Sequence, residues 1–450
     1  MIYKIRKTFP KGGIHPPEYK LAKNAPIKLL PVPTSVIIPV LQHAGSVSTP
    51  VVAKGEYVKA GQVIAVINDY VSSNIHSSVS GVVSKIDNII DVSGFKHNAI
   101  FIDVQGDEWI ESIDRSPDLI TDIKLTPEEI IEKCKESGIV GLGGAAFPSH
   151  VKLSIPKDKK CDTLIINGVE CEPYLTSDHR LMLEKGEEML VGVTILMKAL
   201  RVERAMVGIE SNKQDAIEHL KELSKRFTGI SIHGLTVKYP QGAEKQLIKA
   251  LINREVPSGK FPIEVGAIVH NVGTAYAVYE AVQKNKPLFE RVVTITGKSL
   301  TDPGNYLVRI GSRVCCLIKA AGGQPDDTGK IISGGPIMGK ALHDTDIPVV
   351  KGMSGIIMLP FSESIRSKSE PCIRCAKCVT ACPMNLEPHL LATASMKAMF
   401  ELTENERITD CMECGSCSYV CPAKRPLLDY IRLGKSTVIK KARERNLKQQ

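Results

Sequence analysis

The sequence predicts a multidomain α/β protein that ends in a cysteine-rich module. Three observations carry this prediction. Short β-branched runs separated by glycine and asparagine fill residues 1–110, and from Thr126 onward strand-like and helix-like segments alternate. Eight of the 13 cysteines fall into two tight groups near the C-terminus, a spacing typical of metal ligands rather than of a disulfide framework.

Length, composition and charge narrow the class of protein. A chain of 450 residues with 43% hydrophobic and 24% charged residues is expected to form several globular domains. The net charge of +9 is spread along the chain, and no basic stretch is interleaved with aromatic residues, so nucleic acid is not an expected partner. No apolar run approaches the roughly 20 residues that span a bilayer, and no signal peptide is evident. The sequence therefore predicts a cytoplasmic protein that reaches the membrane only through partners.

Residues 1–115 are predicted to form a β-rich domain. Residues 55–64 and 79–83 resemble each other, in a pattern similar to the barrel-sandwich domains that carry lipoate or biotin. Such carriers need a lysine at an exposed hairpin tip, and residues 68–78 contain none. A structural or docking domain is therefore predicted. Its strands are predicted at 47–52, 63–67, 79–86 and 100–104.

Residues 120–290 are predicted to form an α/β domain. The run Thr126-Pro127-Glu128-Glu129 is typical of a helix start, with Thr as the cap, Pro at the first position and Glu able to reach back. Strands and helices then alternate, which indicates a parallel sheet covered on both faces. The predicted strands are 163–167, 205–209 and 235–239, and the predicted helices are 178–200, 213–227 and 243–253.

Three further segments follow. Residues 291–360 are predicted as a small α+β module, β-grasp-like and of the soluble-ligand-binding type, and residues 361–432 as the cysteine-rich module, which begins with a polar linker. A basic tail at 433–450 is either a solvated tail or helix, or a contact for an acidic protein partner or a membrane surface. The strands of the small module are predicted at 292–296, 307–310, 331–333 and 356–359.

The cysteine-rich module has the ligand pattern of two [4Fe–4S] clusters. The motif C-x₂-C-x₂-C-x₃-C-P occurs twice, and in two-cluster ferredoxins the fourth cysteine of each run binds the other cluster. This pattern predicts a bacterial ferredoxin-like domain. One cluster is assigned to Cys372, Cys375, Cys378 and Cys421, and the other to Cys411, Cys414, Cys417 and Cys382.

Structural zinc is the alternative for this module. Zinc sites usually pair two C-x-x-C knuckles around one ion, which three equally spaced cysteines and a fourth before proline match poorly. The other cysteines show no ligand spacing and are expected to be reduced, mostly buried thiols. These are Cys134, Cys161, Cys171, Cys315 and Cys316.

A glycine-rich segment at 141–148 is a candidate nucleotide-binding loop. It fits G-x-G-x-x-A, but it follows a predicted helix rather than the strand that the dinucleotide fingerprint requires. Its small residues let backbone N–H groups approach a phosphate or a flat ring, and Lys152 follows shortly after. The alternative is a tight turn between two helices.

Several segments in a fixed order resemble a known family. The glycine-rich loop and its lysine are followed by Asn-Gly-Val-Glu-Cys-Glu-Pro at 167–173, Tyr-Pro-Gln-Gly-Ala-Glu at 239–244 and His-Asn-Val-Gly-Thr at 270–274. Together they resemble the flavin-binding subunit of respiratory complex I. With the opening at 8–18 and the double cysteine motif, the chain is more similar still to the C subunit of the Rnf complex, a membrane-bound ferredoxin:NAD oxidoreductase coupled to ion translocation.

The resemblance covers essentially the whole chain and implies an FMN and NADH site. By position it implies that the glycine-rich loop cradles FMN, that an acidic loop lies beside the flavin ring where NADH docks, and that a helix start meets the FMN phosphate. Complex I subunits have Cys-Gly-Glu-Glu where this chain has Gln-Gly-Ala-Glu at 241–244. The implied residues are Gly141, Gly143, Gly144, Lys152, Asn167, Glu170, Glu172, Gly242, Ala243, Glu244, Asn271 and Thr274.

The implied function is electron transfer between ferredoxin or partner subunits, two clusters, FMN and NAD(H). A flavin can take a hydride's two electrons and exchange single electrons with a cluster, so no acid–base catalytic residue is expected. The implied partners are the membrane and peripheral subunits of the Rnf complex, and the implied place is the cytoplasmic side of the membrane. The alternatives are a soluble flavin and iron–sulfur reductase, serving cobalamin or an amino-acid reductase, and an iron–sulfur wire without flavin. From the residues alone, without the resemblance, Glu170 and Glu172 are expected to lie on a solvated loop.

Overall fold

The computed structural model describes residues 7–447. Its N-terminal part is β-rich, as expected, and consists of two small sheets that share one apolar core. Strands β2, β8, β7 and β4 form one sheet in that order, and β3, β5 and β6 form the other. The strands are β1 Ile27–Leu29, β2 Ser35–Pro39, β3 Thr49–Pro50, β4 Tyr57–Val58, β5 Val63–Val66, β6 Ile75–His76, β7 Gly81–Ile90 and β8 Lys96–Val104.

The central part is a parallel four-stranded sheet in the order β11-β10-β9-β12. The capping box at Thr126 is present, with Glu129 N–H bonded to the threonine side chain. A Cβ on Gly192 would lie 1.9 Å from the Ala275 carbonyl oxygen, so glycine permits close packing of α4 on α7. The elements are α1 Pro127–Glu136, α2 Ser149–Leu153, β9 Thr163–Asn167, α3 Ser177–Glu184, α4 Gly186–Leu200, β10 Ala205–Glu210, α5 Gln214–Ser224, β11 Ile230–Leu235, α6 Glu244–Ile252, β12 Ala267–Asn271 and α7 Val272–Lys284.

One predicted strand is wrong. The sequence predicted residues 235–239, whereas β11 ends at Leu235. Beyond it the chain leaves the sheet, and Tyr239 instead forms an isolated bridge with Ile14 of the N-terminal segment. The Tyr239 hydroxyl reaches the cysteine-rich module. Tertiary contacts therefore overrode the strand propensity of this valine- and tyrosine-containing segment.

The small module contains a six-stranded sheet in the order β1-β14-β13-β17-β15-β16. Its first strand, β1, comes from the N-terminal segment and pairs in parallel with β14, with Ile27 opposite Asn305. This sheet therefore joins residues more than 270 positions apart in sequence. Its other elements are β13 Glu290–Gly297, β14 Gly304–Arg309, α8 Val314–Ala320, β15 Thr328–Ser333, β16 Lys340–Ala341 and β17 Gly355–Pro360.

The cysteine-rich module is built of short helices and one long one. The long helix, α14, covers much of the predicted basic tail, and a Cβ on its Gly434 would meet Ser395 of α11. No helix within residues 7–447 has the length and apolar character to cross a membrane. The helices are α9 Phe361–Ser364, α10 Lys377–Ala381, α11 Pro388–Met396, α12 Phe400–Asn405, α13 Ser416–Tyr419 and α14 Leu427–Leu447.

A buried lysine lies where the N-terminal β-rich domain contacts the central domain. The Lys351 ammonium donates to the Asn74 carbonyl at 2.8 Å and to the Gly138 carbonyl at 2.7 Å. Burial lowers the pKa of Lys351 to about 7. Burial, and then this lysine, lower the pKa of His76 to about 3 and that of His43 to about 4. Residues 68–78, the stretch that lacks a carrier lysine, therefore pack against other parts of the chain through Asn74.

Replacing Lys351 by Met should change how stability depends on pH. Between pH of about 7 and 10.5 the unfolded chain binds a proton that the folded lysine has lost, so the wild type gains stability as pH rises through this window. The melting temperature of the wild type should therefore rise relative to that of Lys351→Met across the window. The exposed Lys54→Met variant is the control and should keep a constant difference. The opposite slope would rule out burial as the cause.

Candidate functional site

The glycine-rich segment is a turn between helices α1 and α2, the alternative that the sequence left open. The turn is closed by the Gly141 N–H, which donates to the Phe147 carbonyl at 2.9 Å. The Leu142 N–H donates to the Thr274 hydroxyl at 3.0 Å. A Cβ on Gly143 would lie 2.7 Å from the Asn271 amide nitrogen, whereas one on Gly144 would meet nothing. The fold therefore brings the loop against the start of α7, next to Asn271 and Thr274.

The side chain of Lys152, a residue of helix α2, reaches the start of helix α6. Its ammonium contacts the Glu244 carboxylate at 2.7 Å and the Val269 carbonyl at 3.0 Å. Helix α6 begins after Ala243, which has no side chain to cap the first N–H groups. The Asn167 amide donates to the Gly242 carbonyl at 2.8 Å. A lysine and an uncapped helix start therefore lie together, an arrangement that favours a phosphate.

The acidic loop, residues 168–176 between β9 and α3, carries Glu170 and Glu172. Both are half-buried and their carboxylates are hydrogen-bonded to backbone N–H groups, so the alternative of a simply solvated loop is wrong. Glu170 accepts from the Asp178 N–H at 2.8 Å and the His179 N–H at 3.3 Å, and thereby caps helix α3. Glu172 accepts from the Ile337 and Met338 N–H groups at 3.1 and 2.9 Å. Burial raises the pKa of Glu172. Each carboxylate has a structural bond, and a role beside a flavin stays a prediction.

Two polar residues of this region escaped the sequence analysis. The Asn271 amide donates to the Asp178 carboxylate at 2.7 Å, and burial, then Glu170, raise the pKa of Asp178 to about 7. The Lys20 ammonium donates to three carbonyls of the acidic loop, those of Glu170, Glu172 and Leu175, at 2.7–2.9 Å. Asp178 offered one signal, its place at a predicted helix start. Lys20 offered none, because its contacts lie about 150 residues away.

The cysteines that the sequence assigned to the second cluster lie close together. One cavity is lined by residues that include all four of them, Cys382, Cys411, Cys414 and Cys417. Burial, and then the other three thiols of this set, raise the pKa of Cys417 to about 12. Burial also raises the pKa of Cys378, and Cys421 contributes. Cys382 therefore lies among the thiols of the second run, and Cys421 lies near Cys378, while ligation across the runs stays a prediction.

The arrangement of thiols differs from that of a single-ion site. Zinc holds its thiolates at about 2.3 Å, so the ligands meet around one point. Among the described residues, no group of three or more His, Cys, Asp or Glu side chains converges on one ion. A cubane spreads its thiolates over four iron atoms, so its four ligands do not meet around one point.

The second cluster set packs directly on the acidic loop. The Tyr239 hydroxyl donates to the Cys414 carbonyl at 2.8 Å and lies 3.4 Å from a Glu172 oxygen. The Gln246 amide donates to the Pro383 carbonyl at 3.2 Å. Cys171, whose sulfur accepts from the Gly242 N–H at 3.4 Å, packs with Tyr239 and Cys414 in one apolar cluster. The central domain and this cluster set are therefore neighbours.

Four family models match consecutive parts of the chain. They are the RnfC barrel sandwich hybrid domain over residues 7–107, the Nuo51 FMN-binding domain over 134–280, the SLBB domain over 292–341 and a 4Fe-4S dicluster domain over 364–422. These matches confirm the predicted fold class and the predicted FMN and iron–sulfur domains. The individual site residues stay predictions.

Curated relatives decide the family. The C subunit of the proton-translocating ferredoxin:NAD(+) oxidoreductase complex of Clostridium ljungdahlii is 48% identical over 96% of this chain and 94% of its own length. The chain belongs to the RnfC family. The C subunit of the Na(+)-translocating complex of Acetobacterium woodii is 42% identical over 97% of this chain and 98% of its own length.

A solved structure shows the same fold. A chain of an NAD+-reducing [NiFe]-hydrogenase in the H2-reduced state superposes with a TM-score of 0.51 at 17% identity, and the match covers 69% of this chain and 62% of that chain. At this identity the likeness concerns architecture alone. The membership in the RnfC family rests on the curated relatives, and it confirms the resemblance that the motifs carried.

Cross-ligation can be tested by labelling. In a Cys411→Ala/Cys414→Ala/Cys417→Ala variant, Cys382 loses its cluster and should be alkylated, whereas Cys421 should stay protected by the remaining cluster. Mass spectrometry of the alkylated peptides, on anaerobic protein that retains about four iron atoms, measures both. The mirror variant, Cys372→Ala/Cys375→Ala/Cys378→Ala, should expose Cys421 instead. Protection of Cys382 in the first variant would show ligation within each run.

Proposed function

We propose that this chain is the peripheral electron-transfer subunit of an ion-translocating ferredoxin:NAD oxidoreductase. It would pass electrons between ferredoxin or partner subunits, two [4Fe–4S] clusters, FMN and NAD(H), on the cytoplasmic side of the membrane. The observation that carries the proposal is the contact between the second cluster set and the acidic loop through Tyr239. It supports a direct path between a flavin on the central domain and a cluster.

The residues of the central domain fit an FMN. The open backbone at Gly144 leaves room for a flat ring or a phosphate, and the uncapped start of α6 offers N–H groups beside Lys152. FMN, when bound, supplies exchange of two electrons with NAD(H) and of one with a cluster. Binding would require Lys152 to turn from Glu244 toward the phosphate. The Asn271 side chain, fixed by Asp178 and Gly273, would hold the loop that covers the ring.

The two cluster sets would act in series. The set containing Cys414 lies against the central domain, whereas Cys372 and Cys375 of the other set are exposed. The Tyr239 bond to the Cys414 carbonyl orients the loop that carries Cys414. Burial and hydrogen bonds around a cluster also set its reduction potential. The residues of this chain position the redox groups, and none of them is assigned a role in proton transfer.

Anaerobic purification tests the proposal. About eight iron atoms per chain, matching sulfide and one FMN released on denaturation are expected. NADH should bleach the cluster absorbance and drive reduction of an artificial acceptor. Clusters without flavin and without NADH oxidation would instead show an iron–sulfur wire. Full NADH activity in a protein that never copurifies with membrane subunits would favour a soluble reductase.

Lys152→Met should weaken FMN binding. Loss of one charge-assisted contact to a phosphate predicts a Kd about tenfold to a hundredfold higher. The measurement is fluorescence titration of FMN into deflavinated protein. Lys249→Met is the matched control, because Lys249 lies on α6 and has its own ion pair with Glu255 at 2.9 Å. Equal Kd values for the two variants would remove Lys152 from the site.

A further inference from the structure

Two cysteines of the first cluster set lie in a fully exposed loop. We call this set, Cys372, Cys375, Cys378 and Cys421, the outer set, and the other four cysteines the inner set. All seven residues from Pro371 to Lys377 are exposed, and they include the thiols Cys372 and Cys375. The thiols of the inner set, in contrast, are buried or half-buried. A group held by the exposed loop is therefore the one that a molecule from solution can approach most closely.

Unpaired basic side chains lie on this loop and on the segment next to it. The segments 365–377 and 421–429 are joined by a hydrogen bond of 2.9 Å from the Glu370 N–H to the Ala423 carbonyl. Together they contain six basic and two acidic side chains. One basic side chain, Arg366, pairs with Asp429 at 2.5 Å. Within the described part of the chain the other five form no ion pair, and they are Lys368, Arg374, Lys377, Lys424 and Arg425.

An exposed apolar side chain lies on the same loop as the basic residues Arg374 and Lys377. Ile373, between the two exposed thiols, is 68% exposed. A small apolar centre within a polar, charged rim is the anatomy of a protein–protein contact surface. The uncompensated positive charge favours an acidic partner, because complementary charges steer association and set its orientation.

We propose that the face around Cys372 and Cys375 docks an acidic protein that carries a one-electron centre. This inference rests on the proposed function and adds the face and the cluster at which electrons enter or leave. One electron passes from the partner's reduced centre, which is oxidised, to the cluster of this loop, which is reduced. No bond or proton is transferred in that step.

The charges favour an acidic protein over an anionic membrane. The basic residues of the loop alternate with the thiols themselves, so the bound molecule must lie next to the cluster, and a bilayer cannot accept an electron there. Helix α14, the other basic segment, is partly neutralised. Its Arg432 and Lys435 pair with Glu413 at 3.1 and 3.0 Å, and its Arg445 pairs with Glu404.

The test uses the holoprotein and a reduced, acidic two-cluster bacterial ferredoxin as the probe. Anaerobic stopped-flow absorbance gives the second-order rate constant for reduction of the holoprotein's clusters. For the wild type this constant should fall about tenfold or more between about 0.05 M and about 0.5 M salt. Lys368→Glu/Lys377→Glu should lower it about tenfold or more at low salt. The matched control, Lys54→Glu/Lys96→Glu, makes the same charge change on exposed lysines of the N-terminal β-rich domain and should lower it less than about twofold.

Separate readouts keep the two proposals apart. Iron content and NADH-driven reduction of an artificial acceptor report the proposed function, and both should equal wild-type values in the Lys368/Lys377 variant. If the wild type does not oxidise NADH, the proposed function is wrong, whereas the docking face is not affected by that result. The docking proposal is overturned if both double variants change the rate constant for reduction by ferredoxin equally, or if that rate constant does not depend on salt. It is also overturned if the Lys368/Lys377 variant loses binding to phosphatidylglycerol vesicles while its ferredoxin rate stays unchanged.

Discussion

The structure depends on polar contacts that connect its four domains, many of them made by the N-terminal segment. Single-electron exchange requires that redox groups lie close, and here those groups belong to parts of the chain far apart in sequence. The N-terminal segment provides much of the connection. Its Gly13 N–H donates to Ala381 of the cluster module, its Lys20 binds three carbonyls of the acidic loop, and its β1 strand completes the sheet of the small module. Each such contact replaces water around a buried polar group, so losing one leaves its partner unsatisfied.

What the sequence predicted well is what short-range patterns encode. The two-cluster domain, which a family model over residues 364–422 confirms, was predicted from cysteine spacing alone, because three thiols on one short loop can surround one side of a cubane without help from the rest of the fold. Strand β9 and the capped start of α1 were likewise predicted with their observed bounds, since alternation and capping residues are local. The resemblance then placed these parts in a family that composition would not have indicated.

What the sequence did not predict depends on distant neighbours. Tyr239 was assigned to a strand, yet its hydroxyl bonds to a residue 175 positions away. Glu170 and Glu172 were assigned to a solvated loop on residue type alone, yet helix α3 and the turn at 337–338 use both carboxylates. The pKa of Asp178 rises because it is buried and because Glu170 lies beside it, a pairing that no local pattern indicates.

The two cysteine runs have the same motif, yet the structure treats them unequally. Cross-ligation, as predicted, would have each run donate one thiol to the other set, so that neither set could move away without its partner. The inner set contacts the acidic loop through Tyr239, whereas Cys372 and Cys375 of the outer set lie on an exposed loop that carries unpaired basic side chains. Two identical ligand patterns thus acquire different exposure, and solvent exposure is one of the factors that set cluster potential. The asymmetry that an electron relay needs arises from packing around the ligands rather than from the ligands themselves.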